Sequence, residues 1–498
     1  MTEPVEPVTE ITAAAEEIKT DAGTRPYDVD YPETFKAFMR NGWGDSSLAV
    51  SRRPEADHHA RRRAALAAAF PGETLVIASG REKTRANDAA YPFRPGSDFM
   101  WLTGEHDPDS VLIIDASGEA TLYIRPRSPR NTDEFFRNAV YGELWIGRRH
   151  TLEEKAEELG VRTASLAGVE AALAALAPAR TRVLRGYDHA VDAAVRPYDT
   201  GEAGQRDREL ASKLSELRLV KDEWEIAQLQ DAIDATVRGF EDVARILPAD
   251  RPVSERLIEG IFGLRARHDG NALGYSSIVG AGSHATTLHW IRNTGRTTPG
   301  QLLLMDMGVE NRALYTADVT RTVPVTGRFS SAQRDVYDIV YESQQAGVAT
   351  VAPGVRYEDV ARVCNRVLAE GLYDLKLLPC SVDEALDKEN MTYRRWTLHG
   401  FGHMLGLDVH DCSAAPKELY RDGSLAENYV LTVEPGLYFQ TDDELVPDEL
   451  RGIGIRIEDD VLVTATGSRI LSDGLPRAPQ DVETWLTAQR EAGPRLPG

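Results

Sequence analysis

Cysteine is scarce. The 498 residues hold three, Cys364, Cys380 and Cys412, an odd number with no C-x-x-C pair. That pattern argues against a disulfide framework or a thiolate zinc site and fits a reducing compartment, so a cytoplasmic protein is expected. Positive charge is also short, 57 basic against 79 acidic residues, for a formal net charge of −22. A surface of that sign repels phosphate backbones and anionic lipid, which makes nucleic acid and membrane poor partners. Long apolar runs are missing as well: no stretch approaches the ~20 apolar residues of a membrane span. The opening MTEPVEPVTEITAAAEEIKTD has neither the positive nor the apolar region of an export signal.

What is present is an ordinary globular composition, 42% hydrophobic and 27% charged, in a chain long enough for two or three domains. Residues 1–30, rich in Glu, Thr, Pro and Ala, read as a flexible tail. From 31 to 215, helical and apolar runs alternate: His59 to Phe70 as helix, Glu73 to Ala78, Val111 to Asp115 and Ala120 to Arg125 as strands. Helices at Leu152 to Leu159 and Leu166 to Leu176 and a strand at Arg182 to Leu184 follow, which predicts a smaller N-terminal α/β domain. The second domain is expected over 216–476. It opens with a helix capped by Asp222 and Glu225, continues with a helix opened by Ser254 and then β structure, and starts again at a Ser330/Gln333 capping box and a helix from Tyr357. Strands are expected to return at Trp396 to Val409, Tyr429 to Phe439 and Ile453 to Thr464. Helix, helix, sheet occurs twice, the pattern of two similar halves. Residues 477–498, with three prolines after Pro476, are expected to form a peripheral C-terminal tail.

The chemistry-bearing residues sit in the second domain. In LLLMDMGVENRALYTADVTRT, Asp306 and Asp318 are symmetric about Arg312, so a hairpin turning there would set the two carboxylates face to face. Opposed β-carbons lie ~5 Å apart, and like charges at that spacing need a cation or a proton between them. Glu434 in VEPGLY and Glu458 in IRIEDD repeat the arrangement about position 446, with Arg456 on the same strand face as Glu458. Four carboxylates gathered in a buried site would be driven neutral by desolvation unless divalent cations held them. Carboxylate-rich coordination with an imidazole suits Mn²⁺, with Co²⁺ and Zn²⁺ as alternatives. Imidazoles are available at His289, His399, His403 and His410. The glycines at 400, 402 and 406 let the backbone approach closely and argue for an irregular segment rather than a helix.

Leu302 to Thr322, Leu398 to Asp411, Val433 to Tyr438 and Gly452 to Asp460 together resemble the signature of the pita-bread metallopeptidases. In that superfamily they imply a dinuclear centre held by Asp306, Asp318, His403, Glu434 and Glu458 in a pita-bread C-terminal domain, with Asp318 and Glu458 bridging. In the N-terminal half, YPFRPGSDFMWLTG and NTDEFFRNAVYGELW resemble the aminopeptidase P group, although Met100 stands where that group carries an aromatic, a contact that passes to Trp101. The resemblance implies removal of the N-terminal residue from peptides with proline second, by hydroxide held between two metals. It further implies Glu434 as proton shuttle, His399 steadying the oxyanion, His289 and His410 holding substrate, Arg456 orienting a bridging carboxylate, and a homo-oligomer. The alternatives are a prolidase restricted to Xaa-Pro dipeptides and a non-catalytic binding protein of the same fold.

Overall fold

The computed structural model describes residues 31–44, 47–196 and 201–498; the expected 1–30 tail lies outside them. It divides into two compact units, one ending at Asp207 and the other starting at Arg208, a few residues before the expected boundary at 215. A helix over Glu202–Leu219 spans the division.

The first unit is built on a five-stranded sheet, β1 (Thr74–Ala78), β2 (Val111–Ile114), β3 (Ala120–Ile124), β4 (Arg162–Ser165) and β5 (Thr181–Leu184), in the order β4-β3-β2-β1-β5. Short apolar runs such as Thr74–Ala78 form buried strands, and the β2–β3 turn is fixed by Asp115. Its carboxylate accepts from the Ser117 and Glu119 amides while Gly118 takes a positive φ of 89°. The sequence segment Tyr91 to Gly104 ends in a helix over Ser97–Thr103 in which Met100 and Trp101 are each only 4% exposed. Trp101 lies beneath the Arg62 guanidinium, 5.2 Å from ring to cation, so its ring belongs to the interior of this unit.

The second unit repeats one motif. Its first half has α1 (Glu223–Ile246), α2 (Glu255–Asp269) and a three-stranded antiparallel sheet of β6 (Ile278–Ala281), β7 (Leu302–Met307) and β8 (Val319–Pro324). Its second half has α3 (Ser331–Thr350), α4 (Tyr357–Asp374) and the strands β9 (Val430–Val433), β10 (Gly436–Tyr438), β11 (Gly454–Arg456), β12 (Asp459–Val463) and β13 (Ser468–Ile470). β9 pairs with β12, β12 with β13, and β10 with β11. The helix starts fall where capping chemistry puts them: Asp222 with Glu225 and Ser330 with Gln333 both make full capping boxes, and Ser254 accepts from the Leu257 amide.

Three expectations fail here. Residues 477–498 carry α5 (Pro479–Ala492), whose Val482 and Leu486 are buried in the same core as Phe240 and Val243 of α1. Amphipathic spacing outweighs the prolines, one of which starts the helix at a position where its missing N–H costs nothing. Trp396 to Val409 is not a strand; it has one isolated bridge, Met404 to Leu431, because its glycines and its role as a side-chain carrier leave no ladder partner. The first hairpin is shifted: Asp306 faces Thr320, not Asp318. Asn311 closes the turn by accepting from the Ala313 and Tyr315 amides, with Leu314 at φ 67°, so the loop centres on Ala313 instead of Arg312.

The second hairpin keeps the expected register. Val433 faces Asp459 and Gly436 faces Arg456, which sets Glu434 across from Glu458. The two halves are stitched where β8 runs beside 456–458: the Glu458 amide donates to the Thr320 carbonyl at 3.1 Å, and Thr322 and Arg456 bond each other in both directions.

Candidate metal centre

The strands of both halves present their functional faces to a cavity of about 760 Å³. Asp306, Asp318, His289, His399, His403, His410, Glu434, Arg456 and Glu458 all line it, so every candidate site residue of the second domain reaches one place. Asp318 lies two residues before Thr320, on the same face as Asp306, so the register shift still leaves the two carboxylates neighbours. The Tyr275 hydroxyl lies 2.6 Å from a carboxylate oxygen of each. Ligand atoms of Asp318, His403 and Glu458 lie within 4.8 Å of one another. His403 Nε2 is 3.3 Å from Asp318 and 3.6 Å from Glu434.

His403 is held by backbone packing. Its amide donates to Thr432 Oγ1 at 3.1 Å and its carbonyl accepts from the Thr432 amide at 2.8 Å, while Gly402 lies so close to the Thr432 carbonyl that a β-carbon there would collide with it. Gly406 is as tightly placed against Asp411, but a β-carbon at Gly400 would meet only ordinary contact with the Gly402 backbone at 3.9 Å, so only two of the three expected close approaches occur. Asp411 anchors the far end of this loop. It is buried with Arg218 and Lys221, and Lys221 Nζ reaches it at 2.9 Å.

Four carboxylates share this space with Arg456, which is paired with Asp306 at 2.5 Å; Arg421 and Lys417 also line the cavity. Burial, reinforced by neighbouring Asp306, raises Asp318; burial and the charge of Asp318 raise Glu458 well above the usual carboxylate range. Burial pushes Glu434 up to about 7 in spite of His403 and Arg456. Burial opposes the charged form of His403, yet the hydrogen bond to Asp318 and the charge of Glu434 carry it up to about 9. Acids crowded together until they hold on to protons form a donor set that divalent cations would relieve, and the residues present fit such ions.

Three contributors were not singled out in the sequence. Tyr275 carries no motif. Tyr438 has a signal in hindsight, since 434, 436 and 438 share a strand face. Thr320 was hidden by the misplaced register: its hydroxyl donates to Glu458 at 2.7 Å and accepts from Arg456 Nε at 3.0 Å. Arg456 also donates to the Tyr438 hydroxyl at 2.9 Å, and that hydroxyl lies 2.8 Å from His399 Nε2. Burial and nearby Arg456 bring His399 down to about 3, so the ring is neutral at physiological pH. His399 Nδ1 is buried with no hydrogen-bond partner and lies 3.4 Å from Glu434. His410 stacks edge-on against His403, with ring centres 4.4 Å apart.

Residues 227–465 match the model of metallopeptidase family M24, and residues 59–184 match the aminopeptidase P N-terminal domain. Xaa-Pro aminopeptidase 1 of Streptomyces coelicolor is 51% identical over 454 residues, which cover 90% of this chain and 91% of that one. The chain belongs to metallopeptidase family M24. Xaa-Pro aminopeptidase of Escherichia coli is 33% identical over 86% of this chain and 97% of its own length. Among solved structures, Escherichia coli aminopeptidase P with the inhibitor Pro-Leu matches with a TM-score of 0.76 at 30% identity, over 90% of this chain and all of that one. The M24 match spans the whole cavity-lining set from Tyr275 to Glu458, and no helix among the described residues is long and apolar enough to cross a membrane.

Proposed function

We propose that this chain is a Xaa-Pro aminopeptidase, a hydrolase that releases the N-terminal residue of peptides whose second residue is proline. The observation that carries this reading is the convergence of Asp306, Asp318, His403, Glu434 and Glu458 on one cavity, beside the relatives already described. Those five residues would hold two divalent cations, manganese first and cobalt or zinc as alternatives, which supply Lewis acidity and make a water nucleophilic near neutral pH.

The side chains of the chain do the rest. Glu434 takes a proton from the attacking water and returns it to the proline nitrogen, which must be protonated to leave. Arg456 occupies one lone pair of the Tyr438 oxygen, favouring donation of the Tyr438 proton to His399 Nε2. The ring proton then sits on Nδ1, an unpaired donor beside Glu434, where it meets the oxyanion as the carbonyl becomes tetrahedral. His289 and His410, exposed on the cavity wall, hold the peptide, and Arg456 orients Asp306 directly, not one of the bridging carboxylates expected for it. Proline's tertiary amide offers no N–H, so the ring is read by shape against the apolar part of the wall, including Ile278, Leu288 and Val409. Three free cysteines support a cytoplasmic location, and the aminopeptidase P resemblance supports a homo-oligomer whose mass light scattering reads directly.

Metal analysis of the purified protein, joined to a panel of Gly-Pro, Gly-Pro-Ala and Gly-Ala-Ala, tests the reading. Divalent metal bound near two per chain and cleavage of Gly-Pro-Ala before proline are expected. Hydrolysis confined to Gly-Pro would make the chain a dipeptidase, and absence of both metal and cleavage would make it a binding protein.

A further inference from the structure

The wall that carries His289 has little regular structure of its own. After a 3₁₀ turn over Gly282–Thr286, no helix or strand occurs until Leu302, yet Leu288, His289 and Ile291 all line the cavity. The segment's one ladder contact is the isolated bridge between Arg296 and Ser254, beyond His289, so the stretch that carries His289 needs another source of order.

Glu255, the first residue of α2, supplies it from behind. The residue is fully buried, and its carboxylate gathers four donors. Oε1 accepts from the Ala281 amide at 2.9 Å and from His284 Nδ1 at 2.8 Å; Oε2 accepts from Trp290 Nε1 at 2.9 Å and from the Gly295 amide at 2.6 Å. An ionised carboxylate has about four lone-pair sites, so this one is saturated. The donors bracket His289: Ala281 and His284 precede it, while Trp290 and Gly295 follow. His284 and Trp290 are further clamped together as stacked rings, with centres 3.9 Å apart. Asn293 adds a lesser tie, accepting from the Val279 amide at 3.1 Å and donating to the Ser277 carbonyl at 2.9 Å.

We infer that Glu255 is a positioning residue for peptide binding, acting through His289 by pinning both ends of the segment that presents it. The inference rests on the reading of His289 as a substrate-holding group. No metal ligand is among its contacts, so its effect is separable from metal loading.

The test is a double-mutant cycle on Glu255→Gln and His289→Ala, with Gly-Pro-Ala as substrate and metal content measured alongside. Glutamine keeps the shape, but its amide group must turn toward one donor pair, so at least one backbone bond, to Ala281 or Gly295, is lost. The expected result is metal content equal to the wild type, a fall in kcat/KM of about 10- to 100-fold seen mainly as a rise in KM, and a double variant no worse than His289→Ala alone. Trp290→Phe, which keeps the stack on His284 and removes one bond, should give a smaller change in the same parameter. It serves as the test if Glu255→Gln does not fold. A wild-type KM in Glu255→Gln, or in Trp290→Phe where that stands in, overturns the inference, as do losses that add in the double variant. A His289→Ala enzyme with wild-type kinetics instead overturns the substrate-holding role of His289 itself.

Discussion

The Thr320 hydroxyl donates to Glu458 at 2.7 Å and ties the carboxylate hairpin of one half to that of the other. Thr320 is fully buried, and valine has nearly its shape. Thr320→Val leaves one oxygen of a buried carboxylate unpartnered and removes the acceptor for Arg456 Nε. Metal affinity should fall about 10- to 100-fold with the fold intact, as read by competition with a chelating dye. Unchanged affinity would mean the hairpins hold Glu458 without this bond.

Charge crowding makes opposite predictions for the metal-free and metal-loaded protein. Asp318→Asn removes one of the four carboxylates, so after exhaustive chelation the variant should melt above the chelated wild type. With excess Mn²⁺ the order should reverse, because the wild type gains more from ligand binding. Scanning calorimetry of the four samples decides it, and a variant that melts lower in both states would contradict the argument.

His399→Ala removes the unpaired Nδ1 donor facing Glu434 while leaving all five proposed metal donors in place. A loss of about 10²- to 10³-fold in kcat is expected, with little change in bound metal. Loss of metal in proportion to activity would assign His399 to the ligand set.

Burial works against the ionised form of Asp411, but Arg218 and Lys221 overcome it and hold the carboxyl well below the usual range. The folded-state value therefore lies below the ~3.9 of the unfolded chain, so its contribution to stability is complete above that pH and fades as pH falls through the lower folded value. Asp411→Ala takes the carboxylate away from buried Lys221 and one of two carboxylates away from Arg218, which keeps Asp408, and should cost about 3–5 kcal/mol at pH 7. Denaturant titrations of both proteins should show that gap narrowing below pH 4; a gap independent of pH would exclude the ion pair as its source.

Leu486 of α5 has no exposed surface and packs in the core with α1. Leu486→Ala should cost about 2–5 kcal/mol and leave KM for proline peptides unchanged, as urea unfolding and steady-state rates would record. A change within 0.5 kcal/mol would return this segment to the periphery.

Much of this organisation is legible in the sequence because local chemistry carries it. Capping side chains announce α1, α2 and α3, and apolar runs of four or five residues announce β1, β2 and β3. The Glu434–Glu458 pairing is readable because its register is the same on both sides of the carboxylates. The Asp306 hairpin is not, since one residue in the Asn311 turn decides the register and nothing in the counting of residues reveals it. Tyr275 and Glu255 escape notice for a different reason: their partners are distant in sequence, and a lone Tyr or Glu carries no spacing to read. His284 is equally unannounced, since its anchor Glu255 lies 29 residues away in sequence.

The packing of α5 on α1 has a consequence for biogenesis. The apolar layer under α1 and α2 is completed by side chains translated after the entire second half of the M24 unit. A nascent chain can form the helices of that first half early, but the layer stays open until α5 emerges. Slowing translation between β13 and α5 should therefore lengthen the interval in which the nascent chain exposes apolar surface to chaperones.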